Sequence, residues 1–223
     1  MATIAPSILG ADFARLGDEI HSAEAAGVTF FHLDIMDGHF VPNISYGPDI
    51  VRTINRLTDG YLDAHLMLTE PEKYFEAFAR AGADAITFHL EVHPNPIPYA
   101  RQLRQMDLQP GLSVNPDMPI EKALPFLEHF DLLLIMSVFP GFGGQSFIED
   151  SIARVRTARE YIDAHGLTTR ISVDGGIDRS NASRVVAAGA DILVMGTAFF
   201  GSDDRQGLVN LVHSLTYSKS HIS

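Results

Sequence analysis

His32 and Asp34 stand two residues apart in the run Phe31-His32-Leu33-Asp34-Ile35-Met36-Asp37-Gly38. Side chains of an extended chain alternate between its two faces, so this spacing sends an imidazole and a carboxylate to one side and Leu33 and Ile35 to the other. Two more such residues come late in apolar runs: His65 in Ala64-His65-Leu66-Met67, and Asp174 in Ser172-Val173-Asp174-Gly175-Gly176. Taken singly, a strand histidine is ordinarily a hydrogen-bonded core residue, and a strand-end aspartate a turn or a helix cap. Together they pose a problem, because burying one unpaired carboxylate is costly and burying two side by side is worse. A divalent cation resolves it, and two imidazoles with two carboxylates suit Zn, Fe(II), Mn or Co. One such ion per chain is expected on His32, Asp34, His65 and Asp174, whereas Asp37 and Asp63 read as turn and structural residues.

Glycine supplies a second chemistry. Pro140-Gly141-Phe142-Gly143-Gly144-Gln145, Gly175-Gly176-Ile177 and Gly196-Thr197-Ala198 each follow an apolar run. Glycines let backbone N–H groups approach a phosphate closely, and the start of a following helix adds the positive end of its dipole. Gly141, Gly143, Gly144, Gly175, Gly176, Gly196 and Thr197 are the candidate phosphate contacts, with no Lys or Arg required.

The elements that must position these groups are legible as eight short apolar runs, at residues 4–9, 28–35, 62–68, 85–89, 108–114, 132–138, 169–173 and 192–195. Their length and turn-rich boundaries suit buried parallel strands. Stretches with helical spacing lie between them, among them 12–26, 71–81, 148–165 and 179–188. Pro71 fits a first helical turn, and Asp178 is placed to cap the helix after it. Ala26-Gly27-Val28, Ala81-Gly82-Ala83-Asp84 and Ala188-Gly189-Ala190-Asp191 repeat a helix-ending glycine before a strand, spaced at roughly one and two quarters of the chain. The expected architecture is α/β, a single (β/α)8 barrel over residues 1–223 with a frayed tail at 217–223; a doubly wound open sheet is the alternative. In a barrel, the strand ends that carry the candidate residues form the active face.

Composition bounds the function. The 223 residues are 46% hydrophobic and 20% charged, enough to bury a large core. The formal net charge of −12 argues against nonspecific nucleic-acid or anionic-membrane binding. No cysteine is present, which excludes disulfides, thiolate metal sites and a cysteine nucleophile. The opening Met-Ala-Thr-Ile-Ala-Pro-Ser has neither a basic nor a long apolar region, and the longest apolar stretch, 132–138, is far short of the ~20 residues of a membrane helix. A cytoplasmic protein is expected.

Taken together, these residues resemble the ribulose-phosphate 3-epimerase family over essentially the whole chain. The resemblance rests on Ala5-Pro6-Ser7-Ile8-Leu9, the twelve-residue run from His32 to Asn43, His65-Leu66-Met67, His89-Leu90-Glu91, Met136-Ser137-Val138, the stretch from Gly141 to Phe147, and Val173-Asp174-Gly175-Gly176-Ile177. It implies a barrel that interconverts D-ribulose 5-phosphate and D-xylulose 5-phosphate. By position it implies metal ligands at His32, Asp34, His65 and Asp174, and an acid/base pair at Asp34 and Asp174. It further implies substrate contacts at Ser7 and His65, and a reacting centre lined by Met36, Met67 and Met136, which by themselves read as core packing. Phe139 departs from the family, where Asn or an acidic residue more often precedes the loop proline. The near relatives that act on D-allulose 6-phosphate share the metal and acid/base pattern, but the intact Asp174-Gly175-Gly176-Ile177 favours the pentose substrate.

The implied reaction is a two-base proton transfer at C3 through an enediolate. One aspartate removes the proton, the other returns one to the opposite face, and a metal acts as Lewis acid. Loops 37–43 and 140–147 are placed to close over the substrate. The other readings are a decarboxylase or synthase on the same fold, which has no need of two His and two Asp around a metal, and a non-catalytic phosphosugar-binding protein, which would not keep both aspartates. A small-molecule ketose phosphate is the expected partner, and a homo-oligomer the expected assembly.

Overall fold

Eight parallel strands alternate with helices in the computed structural model, which describes residues 1–218. The strands are β1 (Thr3–Pro6), β2 (Phe30–Met36), β3 (Tyr61–Met67), β4 (Ala85–His89), β5 (Gln109–Val114), β6 (Leu132–Met136), β7 (Arg170–Asp174) and β8 (Ile192–Met195). The helices are α1 (Leu16–Ala25), α2 (Pro48–Asn55), α3 (Phe75–Ala81), α4 (Ile97–Gln105), α5 (Ser151–His165), α6 (Ala182–Ala188), α7 (Thr197–Phe200) and α8 (Arg205–Ser214). The sheet runs β1-β8-β7-β6-β5-β4-β3-β2, and a parallel bridge between Ser7 and His32 joins its two ends. This is the (β/α)8 barrel, not the open sheet. Each of the eight apolar runs holds one strand. The tail expected to fray at 217–223 lies, from residue 219 on, outside the described residues.

Differences from the sequence expectation have local causes. The run at 4–9 stops being a strand at Pro6 because Ile8–Gly10 winds into a 3-10 turn, with the Gly10 N–H bonded to the Ser7 carbonyl. The segment 12–26 divides into a 3-10 turn at Phe13–Arg15 and α1, and 71–81 into a 3-10 turn opened by Pro71 and α3. Asp178 does not cap α6. Its carboxylate accepts from the Ser180 N–H (2.7 Å) and hydroxyl (2.6 Å), closing a turn that delays the helix, and Asn181 takes the cap position. Between β5 and β6 the crossover holds only 3-10 turns, Ile120–Lys122 and Leu124–His129. Pro125 stands in the first turn of the second, where its missing N–H costs nothing.

Strand alternation divides the core into two regions. Phe31, Leu33, Ile35, Leu66, Phe88, Leu112, Leu133 and Leu193 point outward and pack under the helices. The inward side is unequal: β2, β3 and β4 turn His32, Asp34, Asp63, His65, Thr87 and His89 inward, whereas β1, β6 and β8 contribute Ala5, Leu134, Met136, Ile192 and Val194.

Two of the three glycine repeats end in an aspartate that sets register. After Gly82 (φ 97°), Asp84 accepts the Leu62 N–H of β3 at 2.7 Å; after Gly189 (φ 121°), Asp191 accepts the Ile171 N–H of β7 at 2.8 Å. Asp131 occupies the same place before β6, but its neighbour is Pro110, which has no N–H, and Asp131 pairs instead with Arg104. Asp191 also holds the buried guanidinium of Arg159. Asp191→Ala would leave the Ile171 N–H without an acceptor and Arg159 with only the Gly189 carbonyl and Asp163. Urea unfolding should show a loss of about 2–3 kcal/mol; a change under ~0.5 kcal/mol would mean that this pairing does not hold β7.

Candidate active site

Register between β2 and β3 assembles the centre. His32 lies opposite Asp63 and Asp34 opposite His65, so a short stretch of two strands presents two imidazoles and two carboxylates to the interior. Asp174 comes from β7, three positions round the ring from β2. Donor atoms of His32, Asp34, His65 and Asp174 all lie within 4.8 Å of one another. His32 Nε2 is 3.2 Å from His65 Nδ1, 3.3 Å from Asp34 Oδ1 and 3.9 Å from Asp174 Oδ2, and His65 Nδ1 is 3.0 Å from Asp34 Oδ1. Ligands about 2.0–2.1 Å from a tetrahedral ion stand roughly 3.3 Å apart, so the donor set fits a small divalent cation.

The titration of the group follows from its crowding. Burial raises the Asp34 carboxyl, but His32 and His65 outweigh that and hold it well below the usual carboxylate range. Burial and the Asp34 charge push Asp174 up to about 7. His32 is disfavoured as a cation by burial, yet Asp34 and Asp63 together raise it well above an ordinary histidine. Burial, reinforced by His89 and His32, pushes His65 down to about 4 despite Asp34. Two residues of one type thus hold their protons very differently.

A cleft of about 570 Å³ opens above these residues at the C-terminal end of the barrel. Ser7, Asp34, Met36, Met67, Met136 and Asp174 line it, together with Gly141, Gly143, Gly144, Gly175, Gly176, Gly196 and Thr197. His32 and His65 sit beneath, fully buried. Ser7 donates to Asp34 Oδ2 at 2.5 Å. Residues of all three glycine loops line the cleft. Gly176 (φ 63°) allows a close backbone approach, since a Cβ there would stand 2.5 Å from the Phe147 N. The helix dipole expected behind all three loops is present directly behind one: α7 starts at Thr197, whereas α5 and α6 begin at Ser151 and Ala182, well past their glycines. Arg184, which no motif in the sequence marks, also lines the mouth, forked onto Glu149 at 2.8 and 3.0 Å.

The two loops expected to cover the site are tied together. Asn43 Nδ2 donates to the Gly141 carbonyl at 2.7 Å. Asp37 is a turn residue, its carboxylate accepting from the His39, Phe40 and Thr69 backbone N–H groups and from the Thr69 hydroxyl. Gln145 Nε2 braces the second loop through the Phe139 and Phe142 carbonyls, and both phenylalanine rings stay exposed. Asp63, a structural residue by its sequence context, also touches the metal-ligand cluster through His32. Fully buried, it accepts from Thr87 Oγ1 at 2.7 Å through one oxygen and faces His32 Nδ1 at 3.0 Å through the other. His89 and Glu91 continue a similar line from His65. The alternation of Asp63 with His65 was the available signal for the first; nothing in spacing linked His89 to His65.

The sequence profile of the Ribulose-phosphate 3 epimerase family matches residues 3–200. Ribulose-phosphate 3-epimerase of Mycobacterium tuberculosis is 46% identical over 206 residues, covering 92% of this chain and 89% of that protein. Its counterpart in Synechocystis is 47% identical over 201 residues, covering 89% and 87%. Among solved structures, 3-keto-L-gulonate-6-phosphate decarboxylase from Vibrio cholerae superposes with a TM-score of 0.71 at 12% identity over 96% of both chains, a likeness of fold alone. Among the described residues no helix is long and apolar enough to cross a membrane.

A raised carboxyl pKa favours the fold only while the proton stays on, so the Asp174 contribution is full below about pH 4 and lost as pH rises through about 7. In metal-stripped protein, Asp174→Asn should raise Tm by about 3 °C or more at pH 8 and by much less at pH 5. Equal shifts at the two pH values would refute this description of the carboxylate pair.

Proposed function

The chain belongs to the ribulose-phosphate 3-epimerase family, and from that premise we propose how its cleft inverts C3 of a pentulose 5-phosphate, exchanging D-ribulose 5-phosphate and D-xylulose 5-phosphate. Asp34 and Asp174 are the acid/base pair. Inversion needs proton-transfer groups on both faces of the carbon, which one carboxylate cannot supply. The observation that carries this reading is that Asp34 and Asp174 reach the cleft from strands three positions apart, so two carboxylates meet there from different directions. One group accepts a proton while the other gives one, and the roles exchange when the reaction runs backward.

His32, Asp34, His65 and Asp174 would hold one divalent ion, for which Zn, Fe(II), Mn and Co all suit the donor set. When bound, the ion supplies Lewis-acid stabilisation of the charge that builds as the proton leaves the carbon beside the ketone. Ser7, hydrogen-bonded to Asp34, is placed to orient that carboxylate and a substrate hydroxyl. Met36, Met67 and Met136 form a floor that keeps water from the reacting carbon. Backbone N–H groups at Gly141, Gly143, Gly144, Gly175, Gly176, Gly196 and Thr197 take the phosphate, and remote binding there fixes C3 between the aspartates. The loops joined through Asn43 and Gly141 cover the site. A cytoplasmic setting, in keeping with a chain that has no cysteine, belongs to the same proposal. So does a homo-oligomer, supported by the exposed Ile44, Phe139 and Phe142 on the rim and testable by sedimentation.

Asp34→Asn and Asp174→Asn should each lower turnover by about 10²–10⁴-fold or more with unchanged circular dichroism; near-normal turnover in either would refute its role. In deuterated water the product should carry deuterium at C3, and unlabelled product would exclude exchange through the carboxylates. Assayed side by side, D-ribulose 5-phosphate should be turned over faster than D-allulose 6-phosphate, and the reverse would reassign the substrate.

A further inference from the structure

Behind His65 runs a second line of buried polar groups that the reaction itself does not use. His65 Nε2 faces His89 Nε2 at 2.8 Å, His89 Nδ1 faces Glu91 Oε2 at 3.2 Å, and Glu91 Oε1 accepts the Asn115 N–H at 2.7 Å. His65 and His89 are fully buried, their rings stacked with centroids 5.0 Å apart, and Phe40 covers the outer face of His89 at 4.6 Å. Arg154, which donates to the Asn115 carbonyl at 2.7 Å, holds the far end.

A neutral imidazole has one N–H and one lone pair, so an N···N contact demands that one ring donate and the other accept. We propose that His89 and Glu91 are positioning residues that lock His65 in the tautomer with its proton on Nε2, turning the Nδ1 lone pair into the four-residue cluster. The order is imposed from outside. A carboxylate can only accept, so Glu91 fixes the His89 proton on Nδ1. His89 Nε2 then offers a lone pair, which draws the His65 proton to Nε2. The His89 ring also keeps the Glu91 carboxyl ionised against the effect of its burial. His32 is ordered in the mirrored sense. Its Nδ1 donates to Asp63, which Thr87 anchors, while its Nε2, 3.2 Å from His65 Nδ1, donates to that lone pair and would offer a lone pair of its own only with an ion between them. The two histidines would therefore bind a cation through opposite ring nitrogens. The reversed order, with His89 donating to His65, would aim a His65 N–H at Asp34 and leave no lone pair for an ion.

This inference rests on the metal reading above, and the test separates the two. The full chain, labelled with ¹⁵N and loaded with Zn²⁺, is examined by long-range ¹H–¹⁵N spectroscopy of its imidazoles. The expected result is a proton on His65 Nε2 and a metal-shifted Nδ1, with the nitrogens of His32 in the opposite roles. Zn²⁺ affinity is then measured against a competing chelator. His89→Phe should weaken it by about 10–100-fold, and Glu91→Gln, whose amide can donate to His89 and reverse the order, by about 10-fold. His89→Gln, which keeps an acceptor for His65 Nε2–H, should stay within about threefold of the unaltered protein. A His65 proton on Nδ1, or unchanged affinity in folded His89→Phe, would overturn the positioning role and leave the metal reading intact. Failure to bind Zn²⁺ at one ion per chain would remove both. Should His89→Phe not fold, the spectrum of the unaltered protein decides.

Discussion

Two carboxylates converge inside a protein where water cannot separate their charges, and much of the surrounding structure answers that constraint. Asp34 is met by Ser7 and His65 and faces His32, while Asp174 stays high in proton affinity. Each histidine is in turn held from behind, one by Asp63 and Thr87, the other by His89 and Glu91. The ordering reaches neighbouring strands: a Cβ on Gly111 of β5 would run into Thr87, so a side chain missing from one strand makes room for a hydroxyl two strands from His32. A barrel suits this arrangement because register, once set between neighbours, fixes the height of every inward group.

The barrel alone does not specify the chemistry. The Vibrio cholerae decarboxylase shares the fold at 12% identity, and fold likeness at that distance carries the placement of strand ends and nothing about the groups on them. What distinguishes this chain is which side chains occupy the inward positions of β2, β3 and β7.

Much of that was legible along the chain. Alternation in Phe31-His32-Leu33-Asp34 separates the inward pair from the outward pair without any coordinates, and β4 and β8 occupy the apolar runs that announce them. The limits are those of local information. Asp63 meets His32 only through the pairing of β2 with β3, across 31 residues of sequence, so a one-dimensional reading leaves it a buried acid without a partner. His89 and Glu91 could be quoted as a motif, but their line to His65 depends on ring orientations that packing decides. Asp178 has the composition of a cap and serves a turn instead, because Ser180 reaches its carboxylate first. Arg184 acquires its place at the mouth only when α6 meets Glu149 from a loop 35 residues earlier.

The unequal division of the barrel interior has one more consequence. On β2, Asp34 lies beside His65 across the ladder and under the Ser7 hydroxyl; on β7, Asp174 lies between Met136 and Val194. Hydrogen-bonding neighbours stabilise a charge that hydrocarbon and thioether neighbours leave bare. The two aspartates are therefore one amino acid in two solvents, and the boundary between those solvents runs through the middle of the cleft.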